Sequence, residues 1–119
     1  ETYFGRVRYI PLLKSNNKTD KKMGARIALN TRIQGTAAEI MKIGMIEIYS
    51  YINELNKKSN NNKMLLQIHD EIICEIEDSL VSEAEIRIRE ILENVTKKEN
   101  WIVPVTANIK SAKNWEDLK

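Results

Sequence analysis

The residues best suited to chemistry lie together in one short stretch, Gln67-Ile68-His69-Asp70-Glu71, between two apolar runs. The carboxylate of Asp70 is the kind of hard oxygen ligand that Mg²⁺ prefers. A rigid hairpin would hold such a ligand in place better than a loop would. Asp and His are also common in turns for conformational reasons. From these residues alone, a metal site and a polar turn that merely solvates a hairpin both stay open.

The segments around this stretch predict the elements that would position it. Between 64 and 77, two runs rich in Ile and Leu flank the polar residues, which predicts a β-hairpin with His69, Asp70 and Glu71 at its tip. Apolar residues at helical spacing predict an amphipathic helix at about 79–97. Alternating apolar residues predict a final strand at about 102–110.

The first half of the chain predicts further elements. Residues 3–10 resemble a short strand or extended arm, and a short helix is expected at about 21–29. The sequence Thr36-Ala37-Ala38-Glu39 is typical of a capping box, which predicts that a long helix begins there and covers about 36–58. The order of these elements predicts an α+β fold with helices packed on one face of a sheet.

Charge is unevenly distributed along the chain. Residues 1–34 hold eight Lys or Arg and two Asp or Glu, a net charge of +6, while residues 35–119 hold eleven and fifteen, a net charge of −4. A basic arm of this kind attracts polyanions by releasing condensed counterions, so nucleic acid is a natural partner. A solvated basic loop would have the same composition, and that alternative stays open on charge alone.

The composition also excludes some classes of protein. No apolar run approaches the roughly 18 residues that a membrane-spanning helix needs, so no membrane partner is expected. Cys74 is the single cysteine, which rules out an internal disulfide and gives redox chemistry little support. The chain starts without Met and is expected to be part of a longer protein.

Four segments together resemble one protein family. Leu66–Glu75, which reads LQIHDEIICE, resembles motif C of family A DNA polymerases, whose pattern is Q-V-H-D-E followed by apolar residues and Glu. Arg26–Glu39 is similar to the family stretch ending N-T-P-I-Q-G-T-A-A-D, although Arg32 replaces the usual Pro. Gly5–Pro11 is similar to G-R-R-R-x-L-P, and Asn114-Trp115 fits a closing N-W. Order and spacing agree across nearly the whole chain, which strongly disfavours the solvated polar turn.

The resemblance implies a fold and a reaction. The chain would be the C-terminal part of the polymerase palm, with an antiparallel palm-type sheet, a β-hairpin and packed helices. The reaction would be nucleotidyl transfer with two Mg²⁺ ions in the complete enzyme. Asp70 matches the metal-binding Asp of motif C, and His69 and Glu71 join it as candidate catalytic residues. The second carboxylate would come from motif A, upstream of this region, so the chain alone is expected to be inactive.

The resemblance also implies contacts with primer-template DNA. Arg26, Asn30 and Gln34 are spaced four residues apart, so a helix would present them on one face, where they suit minor-groove and sugar-phosphate contacts. Internal hydrogen bonds around a turn would explain the same residues. Arg6 and Arg8 lie in a matching motif and suit phosphates. His69 matches a residue beside the primer terminus, although a local hydrogen-bonding role in the turn is the alternative.

The resemblance implies a DNA-directed DNA polymerase of replication or repair. Its partners would be primer-template DNA, deoxynucleoside triphosphates and the remainder of the polymerase chain, which supplies motif A, fingers and thumb. The location would be the cytoplasmic nucleoid in a bacterium or the organelle matrix in a eukaryote. A non-catalytic nucleic-acid-binding module with a palm-like sheet is the main alternative, and a purely structural α+β interaction domain is a third.

Overall fold

The computed structural model describes residues 1–118 and has the predicted α+β composition. Its regular elements are α1 (Lys18–Leu55), β1 (Lys63–Ile68), β2 (Glu71–Glu75) and α2 (Val81–Lys97), with short 3-10 helices at Pro11–Lys14, Asp78–Leu80 and Glu116–Leu118. The chain divides into two compact units, Glu1–Ile40 and Met41–Lys119. Within the described residues, no helix has the length and hydropathy to span a lipid bilayer.

Helix α1 begins where an asparagine can cap it. The backbone carbonyl of Asn17 accepts a hydrogen bond from the N–H of Lys21 at 3.0 Å, and its side-chain oxygen accepts one from the N–H of Thr19 at 2.9 Å. An Asn at this position satisfies backbone donors that the first helical turn leaves unpaired. The start at Lys18 therefore follows from local sequence, eighteen residues before the predicted start of the long helix.

The prediction of a short helix at 21–29 and a separate helix from 36 is wrong, because one helix runs through both segments. The hydroxyl of Thr36 donates to the carbonyl oxygen of Arg32, four residues earlier, at 2.5 Å. A Thr inside a helix can satisfy its hydroxyl in this way, so the capping-box pattern does not require a helix start. Arg32 also keeps the backbone N–H that a proline would lack, which allows the helix to continue.

Strands β1 and β2 confirm the predicted hairpin. They pair antiparallel from Lys63 opposite Glu75 to Ile68 opposite Glu71, with a register shift between Met64 and Leu66. The shift leaves one extra residue on β1, which is the signature of a β-bulge. A two-residue connection joins the strands, so the tip is short and its geometry is fixed by the ladder on both sides.

The core of the second unit joins the hairpin to both helices. Ile48 and Ile52 from α1 and Ile91 from α2 are buried, and Ile72 and Cys74 from β2 pack against them. Residues two apart on a strand lie on the same face, so one face of the hairpin covers the helices. This packing confirms the predicted arrangement of helices on one face of the sheet. It also connects β2, the strand that follows the tip, to the hydrophobic core.

Two predicted strands are absent from the described residues. Residues 3–10 form a turn and irregular structure, because the backbone N–H groups of Thr2 and Gly5 bond within the turn Thr2–Arg6 instead of a ladder. Residues 102–110 form no strand either, and Ile102 is 99 % exposed. Alternating apolar residues are not sufficient for a strand, since a strand needs a neighbour to accept its hydrogen bonds. In residues 1–118 only β1 and β2 supply such pairing.

An asparagine network fixes both ends of the hairpin at its base. The side chain of Asn62 is 1 % exposed and donates to Asn56 Oδ1 and to the carbonyl oxygen of Ser59, each at 3.1 Å. Its Oδ1 accepts from the backbone N–H of Glu77 at 2.9 Å. One buried side chain therefore connects the segment before β1 with the segment after β2, and its side-chain oxygen and nitrogen both have partners.

Burial raises the pKa of the Cys74 thiol from 9.0 to about 11. At pH 8 the native thiolate fraction should be about 0.1 %, against about 10 % for the unfolded chain, so native alkylation by iodoacetamide should be about a hundredfold slower. The proton is held more tightly in the folded state, so this thiol destabilises the fold as pH rises from about 9 to 11. Alkylation rates of native and urea-unfolded protein, followed by mass spectrometry, check the prediction. Equal rates would contradict it.

Candidate active site and nucleic-acid interface

The hairpin tip consists of His69 and Asp70, which connect Ile68 to its cross-strand partner Glu71. His69 has a φ of 52°, a left-handed conformation that is uncommon for a residue other than glycine. The side-chain amide of Gln67 donates to the backbone carbonyl oxygen of His69. The turn is thereby bound by the side chain that precedes it, and Asp70 follows at a defined backbone position.

Asp70 is exposed, and among residues 1–118 its carboxylate forms no hydrogen bond or ion pair. An exposed carboxylate with free lone pairs fits one ligand position of a hard divalent cation. Residues 1–118 contain no group of three or more His, Cys, Asp or Glu side chains that could hold a metal ion. A complete metal site at the tip would therefore need further oxygen ligands from other groups.

Glu71 belongs to the ladder instead of the turn. It is the first residue of β2, and side chains alternate along a strand, so Glu71 and Ile73 share the face opposite to that of Ile72 and Cys74. Ile72 and Cys74 pack on the helix core, which places Glu71 on the face away from it. Its carboxylate is exposed. The role of Glu71 as a candidate catalytic residue stays a prediction.

In the first unit, the three polar residues predicted to contact DNA lie on α1. Arg26, Asn30 and Gln34 are all exposed, and their spacing of four residues puts them along one side of a continuous helix. The proposed alternative was internal hydrogen bonding around a turn before the long helix. No such turn exists here, because residues 26–34 are helical throughout.

The basic N-terminal arm is folded onto the same part of α1. Arg8 donates from Nη1 to the hydroxyl of Thr31 at 2.9 Å, its one side-chain hydrogen bond in residues 1–118. A guanidinium has five donors, so most of those of Arg8 remain available for an anion. Arg6 is exposed and closes the turn that begins at Thr2. A shallow groove beside this turn is lined by both arginines and by Thr31.

Sequence reasoning missed several residues that hold these groups in place. Thr2 and Glu39 share a hydrogen bond of 2.6 Å across 37 residues, a contact for which the sequence carries no signal. Glu39 was assigned to a capping box, where its partner would have been the local backbone. Gln67 was recognised as part of a motif, but not as the residue that binds the carbonyl oxygen of His69. The role of Asn62 was concealed within a run of asparagines typical of a turn.

A paired β-hairpin that exposes an acidic tip, with helices packed on one face, is an arrangement expected of a nucleotidyltransferase palm. The family model for DNA polymerase family A matches residues 1–117. The chain therefore belongs to DNA polymerase family A, and the resemblance recognised from the motifs is confirmed.

Individual relatives agree with this assignment. The chain is 39 % identical to DNA polymerase I of Borreliella burgdorferi over 99 % of its length and 12 % of that protein. It is 33 % identical to the thermostable DNA polymerase I of Thermus filiformis over 100 % of its length and 13 % of that protein. The chain thus spans about an eighth of these curated relatives.

A solved structure has the same fold. It is described as the POL domain of Pol1 from M. smegmatis in complex with DNA primer-template and dNTP. The likeness has a TM-score of 0.67 and 37 % sequence identity, and it covers 79 % of this chain and 16 % of that one. The predicted partial palm is therefore confirmed at the level of the fold.

Proposed function

We propose that this chain is the C-terminal part of the palm of a DNA-directed DNA polymerase, and that the complete protein performs template-directed DNA synthesis. The observation that carries the proposal is the exposed carboxylate of Asp70 at the tip of the motif C hairpin, which has no hydrogen bond or ion pair within residues 1–118. Membership of DNA polymerase family A supports it. The relatives named DNA polymerase I support the same activity, although the chain covers only a small part of each.

The hairpin residues have distinct roles in this proposal. Asp70 would hold a Mg²⁺ ion through its carboxylate, and the strand ladder and the hydrogen bond from the Gln67 amide to the His69 carbonyl hold the turn that carries it. Bound Mg²⁺ ions would lower the barrier by activating the primer 3′-hydroxyl and stabilising charge on the triphosphate. His69 lies beside Asp70 and contacts the primer end. Glu71 contributes negative charge on the face of β2 that points away from the hydrophobic core.

The first unit supplies contacts to the primer-template. Arg26, Asn30 and Gln34 present donors and amides along one side of α1, where they suit minor-groove acceptors and sugar oxygens common to all correct base pairs. Arg6 and Arg8 meet phosphates. The polymerase in the M. smegmatis complex is described with DNA primer-template and dNTP, which supports DNA and deoxynucleoside triphosphates as the partners here. The other palm carboxylate, the fingers and the thumb come from the remainder of the polymerase chain.

Primer extension by the complete protein tests this function. With Mg²⁺, all four deoxynucleoside triphosphates and a recessed primer, we expect addition of the nucleotides that the template specifies, and no addition when EDTA removes the metal. A gel that resolves single-nucleotide steps measures both results. DNA binding without any extension would contradict the proposal and favour the non-catalytic nucleic-acid-binding module.

A further inference from the structure

The turn at the N-terminal end of the chain is fastened to α1 by a small set of partly buried contacts. Thr2 is 5 % exposed, and its hydroxyl donates to Glu39 Oε2 at 2.6 Å. The backbone N–H of the next residue, Tyr3, donates to the hydroxyl of Thr36 at 2.9 Å. We call Thr2, Gly35, Thr36 and Glu39 the Thr2 anchor.

Each hydroxyl of the Thr2 anchor is used as both donor and acceptor. Thr2 Oγ1 donates to Glu39 and accepts the backbone N–H of Arg6 at 3.0 Å. Thr36 Oγ1 donates to the carbonyl oxygen of Arg32 and accepts from Tyr3. A hydroxyl has one proton to donate, so neither threonine hydroxyl can donate a further hydrogen bond. The Thr2 anchor thus fixes the backbone at Arg6 as well as the helix side chains.

Gly35 allows the turn to come this close. A Cβ added at Gly35 would lie 2.7 Å from Cγ2 of Thr2, which is closer than two carbon atoms can pack. Glycine inside a helix costs about 1 kcal/mol relative to alanine. This geometry explains why a glycine is present, because the Thr2 methyl group occupies the space that a side chain at position 35 would need.

The residues beyond the anchor are the two arginines of the basic arm. The shallow groove is lined by Thr2 and Gly35 of the anchor and by both arginines, Arg6 and Arg8. The anchor and the bond from Arg8 to Thr31 fasten the arm to the helix segment that follows Asn30. A shift of Thr2 would move the backbone of Arg6 directly, since Thr2 accepts its N–H and donates to its carbonyl.

We propose that the Thr2 anchor positions Arg6 and Arg8 to bind phosphates of the primer-template, and that Gly35 and Glu39 are positioning residues that do not touch DNA themselves. The proposal rests on the proposed function, since it assumes that DNA is the ligand of this arm. It assigns two separate roles. The Thr2 anchor sets the position of the arm, and the cationic side chains of Arg6 and Arg8 contact the duplex.

The test is a pair of linked substitutions in the intact polymerase. Gly35→Ala places a methyl group against Thr2, and we expect the Kd for primer-template to rise about tenfold, the equivalent of one charge-assisted hydrogen bond, with kcat at saturating DNA within about twofold of wild type. Thr2→Ser removes the methyl group and keeps the hydroxyl. The double variant Thr2→Ser/Gly35→Ala should therefore recover a Kd within about threefold of wild type.

Controls separate positioning from folding and from direct contact. Ser50→Ala, at an exposed site on α1, should leave the Kd unchanged. Gly35→Ala should still unfold cooperatively above the assay temperature, because the higher helix propensity of alanine offsets part of the cost of the contact with Thr2. If Thr2→Ser fails to restore binding, the added methyl group meets the DNA itself and the proposal is overturned. An unchanged Kd in Gly35→Ala also overturns it. Wild-type protein that does not bind primer-template would overturn the proposed function first, and this inference with it.

Discussion

Asp70→Asn in the intact polymerase is expected to lower kcat for nucleotide addition by at least about a thousandfold. The substitution keeps the size of the side chain and removes its negative charge, so a hard cation loses a ligand while the hairpin keeps its shape. Because Asp70 is exposed and makes no hydrogen bond or ion pair within residues 1–118, no fold contact is lost. Single-turnover extension with excess enzyme measures the chemical step separately from DNA binding.

The control for this experiment is Asp78→Asn, the same chemical change at an exposed residue in the 3-10 helix after the hairpin. It should extend primers at a rate within about twofold of wild type, because surface substitutions of this kind have small effects. DNA affinity should be similar in all three proteins, since the phosphate contacts are assigned to other residues. Near-normal primer extension by Asp70→Asn would show that Asp70 is not an essential metal ligand.

Asn62→Ala is expected to loosen the whole hairpin. The substitution removes the side chain that bonds to Asn56, to the carbonyl oxygen of Ser59 and to the N–H of Glu77. Asn56 keeps its bonds to the backbone of residue 62, but the Ser59 carbonyl and the Glu77 N–H lose these partners in a site where Asn62 is 1 % exposed. Buried polar groups without partners cost about 1 to 3 kcal/mol each, so a local loss of about 3 kcal/mol is expected. Amide hydrogens of β1 and β2 should then exchange about a hundredfold faster.

Hydrogen exchange measured by mass spectrometry on the intact polymerase would test this. Asn61→Ala is the matched control, because Asn61 is the exposed neighbour in the same asparagine run. The control should leave exchange in the hairpin unchanged. If Asn62→Ala also left it unchanged, the asparagine network would not be what holds the base of the hairpin together.

Sequence reasoning predicted the elements whose signals are local. The hairpin was recognisable from two apolar runs around a polar tip, and α2 from its apolar period. Both are the elements that form the core with Ile48 and Ile52. The candidate site was also recognisable, because its residues are contiguous in the chain from Gln67 to Glu71 and carry a family motif.

The errors arose where one local pattern has two physical outcomes. Thr36 and Glu39 have the spacing of a capping box, but in the folded chain Thr36 bonds to Arg32 and Tyr3, and Glu39 bonds to Thr2. Tyr3 and Thr2 are each more than thirty residues from their partner. Alternation at 102–110 is typical of a strand, yet pairing depends on a neighbour that the alternation cannot supply. The periodicity and spacing of residues therefore could not predict contacts between residues that are distant in the sequence.

The most direct measurement of the central claim is a crystal structure of the intact polymerase with primer-template, an incoming non-hydrolysable nucleotide and Mg²⁺. We expect a carboxylate oxygen of Asp70 to coordinate a Mg²⁺ ion at about 2.1 Å, with the remaining ligands from another carboxylate, the nucleotide and water. Occupied metal sites in which Asp70 lies beyond coordination distance of every ion, with its carboxylate bonded to protein groups instead, would contradict the account.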